Sequence, residues 1–473
     1  MPLPDSALPF ATTYDPVEDP PGSIDPLGTA PLADRLADTI FPGMTARMWR
    51  ARLLTFTAVA GFVADAVADG EPDGANSRVA ARLAFERLFV TSVAAAEKRD
   101  PIGLRAARMR LPGINMAHAA LASGQPLTAE NFLKAQVING PVGVMARLAR
   151  ATQLVTDDMA PSRNAPPLVG AWADERDLRG FLEEAGSSPG RAWLQSTAGY
   201  VSDWTAKKRW PSLGTKVWSQ LLDTLRVDQI GTRERKALIG LLRAEPARRR
   251  MLGLVSRSAH EYRTIAAETS NRGAVERSVF LEGVVPRLGD DPLDRQLRFS
   301  IEAIDISERL GCALQAVFET VLWALTRQAT FPSVAALIAF PGLRAHLEAR
   351  RAEVARCSEP MKAVLEKLKV TTGLGGVDVG SGLSALYEAG LEGERSVEAL
   401  VTVVMGRHKS IQGEKGKPPW IGTDAGLVVR PGFGFAADEP PAYDSIFLHP
   451  YRLTNAVWFL RDLGEMNVEA GDE

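Results

Sequence analysis

Apolar residues recur at three- and four-residue spacing along most of this chain, and the strict alternation of a half-buried strand is scarce. Stretches such as "LRGFLEEA", "VWSQLLDTL", "ALQAVFETVLWALTRQ" and "LRAHLEARRAEVARC" each lay one apolar stripe along a helix. The fold class this dictates is mainly α, in multi-helical domains, with a small C-terminal α+β unit of hairpin and helices. A length of 473 residues exceeds what one core supports, so more than one domain is expected. With 45% hydrophobic and 24% charged residues and a net charge of −2, the chain is not a uniformly basic binder of the histone kind. Any electrostatic site must be local.

Composition shifts divide the chain into four parts. Residues 1–25 are Pro-rich and hold acids without Lys or Arg, the make-up of a flexible acidic arm. A helical N-terminal domain is expected over 26–165, opening with "DPLGTAPLADRLADTIFPGMT", where Pro31 suits a first helical position and "FPG" stops the helix. Further helices are read from about Thr45 to Val67 and over 77–98, the latter with Ser77 as its cap. "PLTAENFLKAQVINGPVGVMARLARATQLV" reads as two helices joined at Asn139-Gly140 with Thr128 as first cap, either a helix-turn-helix or a plain helical hairpin. A central helical domain is expected over 166–370. Residues 371–473 follow as a C-terminal unit, with a glycine-rich linker in "TTGLGGVDVGSG", a helix ending near Arg407, the basic loop "RHKSIQGEKGKPPWIG", a hairpin in "WIGTDAGLVVRP" and a last helix in "YRLTNAVWFLRDLG".

Catalytic templates are absent. His118, His260, His346, His408 and His449 are far apart, and "HEYRT" lacks the second histidine that would put two metal ligands on one helical face. "GLGGVDVGSG" has neither the dinucleotide spacing nor the phosphate-loop lysine, and Ser381 and Ser384 lie outside any G-x-S-x-G elbow. Asp290, Asp291 and Asp294 read more simply as a helix cap than as ligands for a hydrated cation. Cys312 and Cys357 have no CxxC spacing, which argues against a disulfide framework and fits a reducing cytoplasm. The longest apolar run near the start, "LLTFTAVAGFV", is eleven residues, too short to span a bilayer, and the first residues lack the order of a signal peptide. No membrane insertion and no cofactor are expected.

Charge is unevenly placed. Residues 201–260 carry thirteen basic against five acidic side chains. Among them Lys207, Lys208, Arg209, Lys216, Arg233, Arg235, Lys236, Arg248, Arg249 and Arg250 are candidate phosphate contacts, joined by Lys409, Lys415 and Lys417 of the basic loop. Trp204, Trp210 and Trp218 lie among these charges, as base-stacking aromatics would; core tryptophans beside a solvated helix face are the competing reading. Near the start, Arg47, Arg50 and Arg52 are also in reach of phosphate on this reading. Trp420 is expected to plug the hairpin into the C-terminal core, and His408 to hydrogen-bond a loop carbonyl.

Both ends carry a resemblance. "DPLGTAPLADRLADTIFPGMTARMWRARLLTF" is similar to the opening of a family of uncharacterised bacterial proteins encoded in anti-phage defence loci, with its D-x-L-G, its A-D-x-[LI]-F-P-G-x-T and an arginine-rich helix. "GRHKSIQGEKGKPPWIGTDAGLVVRP" resembles that family's closing element, a histidine, a glutamine, a lysine with a glycine, then "PW" before a hairpin and a last helix ending in "RDLG". The resemblance implies a setting among helicases, nucleases or ATPases, in which a non-motor, DNA- or RNA-binding or scaffold subunit is the natural role. The alternatives are a metal-dependent nuclease or nucleotide-processing enzyme built on His408, Asp290 or Asp291, and a protein-only adaptor; the favoured reading is not an enzyme.

Overall fold

The computed structural model describes residues 25–69, 74–207, 210–212, 216–370, 379–423, 426–435, 437–440 and 446–466. Among these are twenty α-helices and one two-stranded antiparallel sheet, the mainly α architecture that the periodicity dictates. The elements used below are α1 Ala30–Ile40, α2 Leu53–Ala68, α3 Gly74–Glu97, α4 Pro141–Ala151, α5 Ala165–Asp174, α6 Pro189–Lys207 and α7 Val217–Leu225. They continue as α8 Thr232–Leu242, α9 Pro246–Arg257, α10 Pro292–Arg327, α11 Leu343–Val370, α12 Gly380–Gly393 and α13 Val397–Glu414. The sheet of β1 Ile421–Gly422 and β2 Val428–Val429 and the last helix, α14 Leu453–Asp462, complete the set. No helix among the described residues is long and apolar enough to cross a membrane.

The described residues gather into two compact units with bounds Met1–Thr39, Asn271–Phe280 and Leu288–Pro450 for the first, and Ile40–Ser270, Leu281–Arg287 and Tyr451–Glu473 for the second. Each is built from three stretches of chain, so neither coincides with the consecutive division 26–165, 166–370 and 371–473. The reason is long-range pairing that leaves no mark in local composition. The acidic segment 1–24 and residues 371–378 of the glycine-rich stretch lie outside the described residues.

In the second unit α2 is apolar around most of its circumference and buried along most of its length, as a helix surrounded by helices must be. It packs on α3, α4, α5 and α6. Phe56 stacks on Phe85 with ring centres 5.2 Å apart and tilts against Phe89 at 4.5 Å. The arginines just before this helix do not reach solvent. Arg52 pairs with Glu234 at 2.9 Å, with side chains 2% and 0% exposed, and its other donors meet the carbonyls of Arg226 and Thr224. Arg50 sits 3.1 Å from Asp462 of α14 and donates to the carbonyls of Ala106 and Val227. Both are internal clamps, which removes them from the phosphate contacts expected of this stretch; Arg47, in contrast, is exposed and donates to Asn139.

The first unit is organised on α10, thirty-six residues long and so about 54 Å from end to end. Asp291 caps it by accepting from the backbone N–H groups of Leu293 and Asp294, and Pro292 fills the first helical position. Helices α11, α12 and α13 pack along it. β1 and β2 form the expected hairpin with Ile421 opposite Val429. Trp420 packs on Phe318 of α10 and stacks on Phe433 at 5.0 Å, the core plug that its place before the hairpin indicates. Cys312 and Cys357 are both buried free thiols.

Three local expectations fail. Residues 128–135 form turns instead of a helix, because Asn131 accepts from the Thr128 backbone N–H at 2.6 Å and donates to the Pro126 carbonyl, and Ala135 adopts a φ of +50°. Only the single turn Gln136–Asn139 precedes α4, so there is no helix-turn-helix here. Ser77 lies inside α3, and the helix expected from Thr45 begins at Leu53. The N-terminus of α4 is held instead by Glu86 of α3, which accepts from the Val142 N–H and from Gln136; burial pushes its carboxyl up to about 7.

Two predictions follow from these buried groups. Glu234→Ala, which strands the Arg52 guanidinium, should cost about 3–5 kcal/mol in urea unfolding. For Glu86 the folded-state value lies above the usual 4.5, so its contribution to stability is complete below pH 4.5 and declines as pH rises toward about 7. Glu86→Gln should make the fall in urea midpoint between pH 4.5 and pH 8 smaller than in the parent, with buried Asp462, raised to about 6, sustaining part of it.

Candidate nucleic-acid interface

The basic stretch of the second unit is folded as α7, α8 and α9, and each helix start is built from local chemistry. Glu175 accepts from the backbone N–H groups of Arg233 (2.7 Å) and Glu234 (3.1 Å), capping α8 from outside it. Glu245 caps α9 by accepting from Ala247 and Arg248, ahead of which Pro246 fixes the first turn. Of these two carboxylates, Glu245 is one of the five acids counted within 201–260, and Glu175 comes from outside that stretch.

The helical period then sorts the basic side chains. On α8, Arg233 and Lys236 are exposed while Arg235 is half-buried, with Nη2 3.4 Å from the Ile230 carbonyl. Arg233 pairs with Asp174 at 3.3 Å in a solvent-exposed contact of small energetic weight. On α9, Arg249 and Arg257 are exposed. Arg248, the residue before Arg249, is 1% exposed and donates to the carbonyls of Leu242 (2.6 Å), Pro42 (2.5 Å) and Leu241 (3.3 Å). It is a structural clamp, and as a phosphate contact it is withdrawn. Arg250 is half-buried and donates to the Arg287 carbonyl at 3.2 Å. Lys216 is exposed at the start of α7.

Lys207 ends α6, with its side chain outside the described residues, as are Lys208 and Arg209. The tryptophans expected to stack on bases pack on one another instead. Trp204 and Trp218 are 7% and 6% exposed, and Trp210 bridges them with ring centres at 4.6 and 5.6 Å. Trp218 Nε1 donates to the Ser212 carbonyl at 2.7 Å. Two of the three rings therefore present no open face, and the core reading holds for them. What remains at the surface is a set of charges without an aromatic platform: Lys236, Arg249 and Arg257 have no carboxylate partner among the described residues.

In the first unit the basic loop is half helix: α13 runs on to Glu414, with Lys409 exposed on it and Lys415 and Lys417 exposed beyond. Lys415 Nζ donates to the Asp25 carbonyl at 2.9 Å. Its neighbours repeat the pattern, with Arg407 Nε on the Leu27 carbonyl at 2.7 Å and His408 Nδ1 on the Pro26 carbonyl at 3.0 Å. Gly28, at φ +69°, leaves room for Ile411, whose Cδ1 would be 2.5 Å from any Cβ there. The D-P-L-G and R-H-K segments, at opposite ends of the chain, thus form one lock.

His408 is 1% exposed. With the Nδ1–H donating to Pro26, Nε2 accepts from the Trp420 backbone N–H at 2.9 Å, and burial, with a smaller effect of Lys415, holds the imidazole below its usual value. A neutral ring with both nitrogens engaged has no capacity for proton transfer to a substrate. Asp291 is likewise spent as the α10 cap, and buried Asp294 accepts from the Gly289 N–H at 2.6 Å.

The sequence reading missed one constellation. His449 Nδ1 lies 2.7 Å from Glu308 Oε1 and its Nε2 3.3 Å from Thr29 Oγ1, whose hydroxyl is also 3.3 Å from Asp25. Burial opposes the charged ring, but the hydrogen bond and charge of Glu308, together with Asp25, prevail and raise its pKa. With both ring nitrogens within hydrogen-bond distance of side-chain oxygens, His449 ties α10 to the segment before α1. Glu308 is distant in sequence from both partners, so no local motif signals it. No protein-family model matches the chain, and no curated protein and no solved structure matches it.

The division between clamp and surface arginines is testable with neighbours. Arg248→Ala should lower stability by about 3 kcal/mol or more, because three carbonyls lose charged donors. Arg249→Ala should stay within about 0.5 kcal/mol of the parent in the same urea unfolding experiment.

Proposed function

We propose that this chain is a non-motor subunit that binds the phosphate backbone of DNA or RNA through the outward faces of α8 and α9, within a cytoplasmic bacterial anti-phage defence complex. The observation that carries the binding is the exposed set Lys236, Arg249 and Arg257, without carboxylate partners among the described residues, in a chain whose net charge is −2. Lys216 and Arg233 extend the same charge. Contacts of this kind position a duplex or single strand without reading its sequence, since they reach phosphates and not base edges.

The defence setting rests on the motif resemblance at the two ends. Those motifs meet in the first unit, where Arg407, His408 and Lys415 hold the carbonyls of Leu27, Pro26 and Asp25. Their spacing therefore reflects a folded element, which supports a shared fold with the family more directly than a shared chemistry. The enzymatic alternative loses Asp291 to capping and His408 to its buried hydrogen bonds, which leaves the exposed Asp290 alone of its named residues.

Polarisation titrations against labelled duplex and single strands at two salt concentrations test the proposal. Affinity should fall steeply with salt, and the Lys236→Ala/Arg249→Ala/Arg257→Ala variant should flatten the log–log slope by about 2–3 on duplex DNA. Binding that ignores salt, or a variant indistinguishable from the parent, would falsify the phosphate surface. Absence of any binding at low salt would move the role to a protein-only adaptor.

A further inference from the structure

A cavity of about 780 Å³ opens in the second unit between α2, the start of α3 and α6. That volume lies within the range of about 300–1,000 Å³ typical of small-molecule sites. Phe62, Asp65 and Asp69 reach it from α2 and the residue that follows, at the three- and four-residue spacing that puts side chains on one helical face. Arg78 enters from α3, and Arg191 and Gly199 come from α6. The wall thus combines a ring, two carboxylates and two guanidinium groups.

The polar groups are only partly engaged with each other. Arg78 Nε lies 2.7 Å from Asp65 Oδ1, with both side chains partly exposed. Arg78 keeps further donors beyond that pair, since a guanidinium has five. Arg191 is half-buried, and its Nε is buried without a hydrogen-bond partner among the described residues. Arg191 lines the cavity, and a guanidinium is the side chain best shaped to hold an anion such as phosphate by paired hydrogen bonds.

Gly199, exposed on α6, is another lining residue. It lies within the nineteen-residue α6, where glycine is a poor helix former, yet a Cβ built there meets nothing within 4 Å. Packing therefore does not demand glycine at this position. What its missing side chain does preserve is open volume at the cavity wall, which a ligand approaching the helix backbone would use.

We propose that this cavity binds a nucleotide, with phosphate held by Arg78 and Arg191, ribose hydroxyls donating to the carboxylates of Asp69 and Asp65, and the base against Phe62. The site is distinct from the α8–α9 surface and does not depend on that surface binding a polymer. Calorimetric titration of the full chain with AMP, ATP, adenosine and inorganic phosphate tests it. AMP or ATP should saturate one site, with adenosine and phosphate each at least tenfold weaker. Gly199→Leu, which fills open space, and Arg191→Ala should each weaken the nucleotide at least tenfold while circular dichroism and the thermal midpoint show a folded protein.

The paired control is Lys236→Ala/Arg249→Ala, which should leave the nucleotide titration unchanged, as Gly199→Leu should leave duplex binding unchanged. No nucleotide binding, equal binding of inorganic phosphate alone, or full affinity in Gly199→Leu would each overturn the cavity assignment. Loss of nucleotide in the Lys236→Ala/Arg249→Ala variant alone would overturn it too, by assigning the nucleotide to the polyanion surface.

Discussion

The ion pair of Arg52 and Glu234, closed off from water and braced by the carbonyls of Arg226 and Thr224, is the constraint on which the second unit depends. A guanidinium removed from water is costly unless nearly every donor finds an acceptor, so its position dictates where those carbonyls must lie. The Thr224 carbonyl also accepts from Trp172 Nε1 at 2.8 Å, which ties α5 to the end of α7 through the same atom. Arg50 does comparable work with Asp462, whose own carboxyl is pushed up to about 6 by burial despite the arginine beside it. Arg452, at the start of α14, donates to the Phe41 carbonyl at 3.2 Å. Arginine is here as much a core residue as a surface one.

That double use limits what charge counting can tell. A basic stretch marks a surface only where its side chains leave the fold with donors to spare. Arg248 and Arg249 are adjacent in sequence, alike in chemistry and opposite in role, because the helical period turns one toward Pro42 and the other toward solvent. Two acceptors of Arg248, Leu241 and Leu242, are close in the chain, but the third, Pro42, is 206 residues away, so no short window contains the whole arrangement. The tryptophans mislead for the same reason: Trp204, Trp210 and Trp218 complete a cluster whose members come from separate local patterns.

Local physics was more readable. The apolar period marks the helical class, Asp291-Pro292 marks the start of α10, and "PPWIG" marks the hairpin, since capping, proline geometry and turn chemistry act within a few residues. Where a side chain competes locally, as Asn131 does with its own backbone, the apolar pattern alone gives the wrong element. The lock between residues 25–28 and 407–415 lies between these extremes. Its two halves are conspicuous as motifs, but only the folded chain brings His408 to the Pro26 carbonyl and makes them one feature. The carboxylate–histidine anchor of Glu308 and His449, and the cavity lined by Arg78 and Arg191, have no linear signature at all.

Residue-resolved chemical footprinting of lysine and arginine in the full chain, with and without saturating duplex, tests the separation of clamps from surface most directly. Lys236, Arg249 and Arg257 should react in the free protein and be shielded by the duplex, whereas Arg50, Arg52, Arg248 and Arg452 should stay unreactive in both states. Ready modification of Arg52 or Arg248 in the folded protein, or shielding that bypasses Lys236, Arg249 and Arg257, would contradict it.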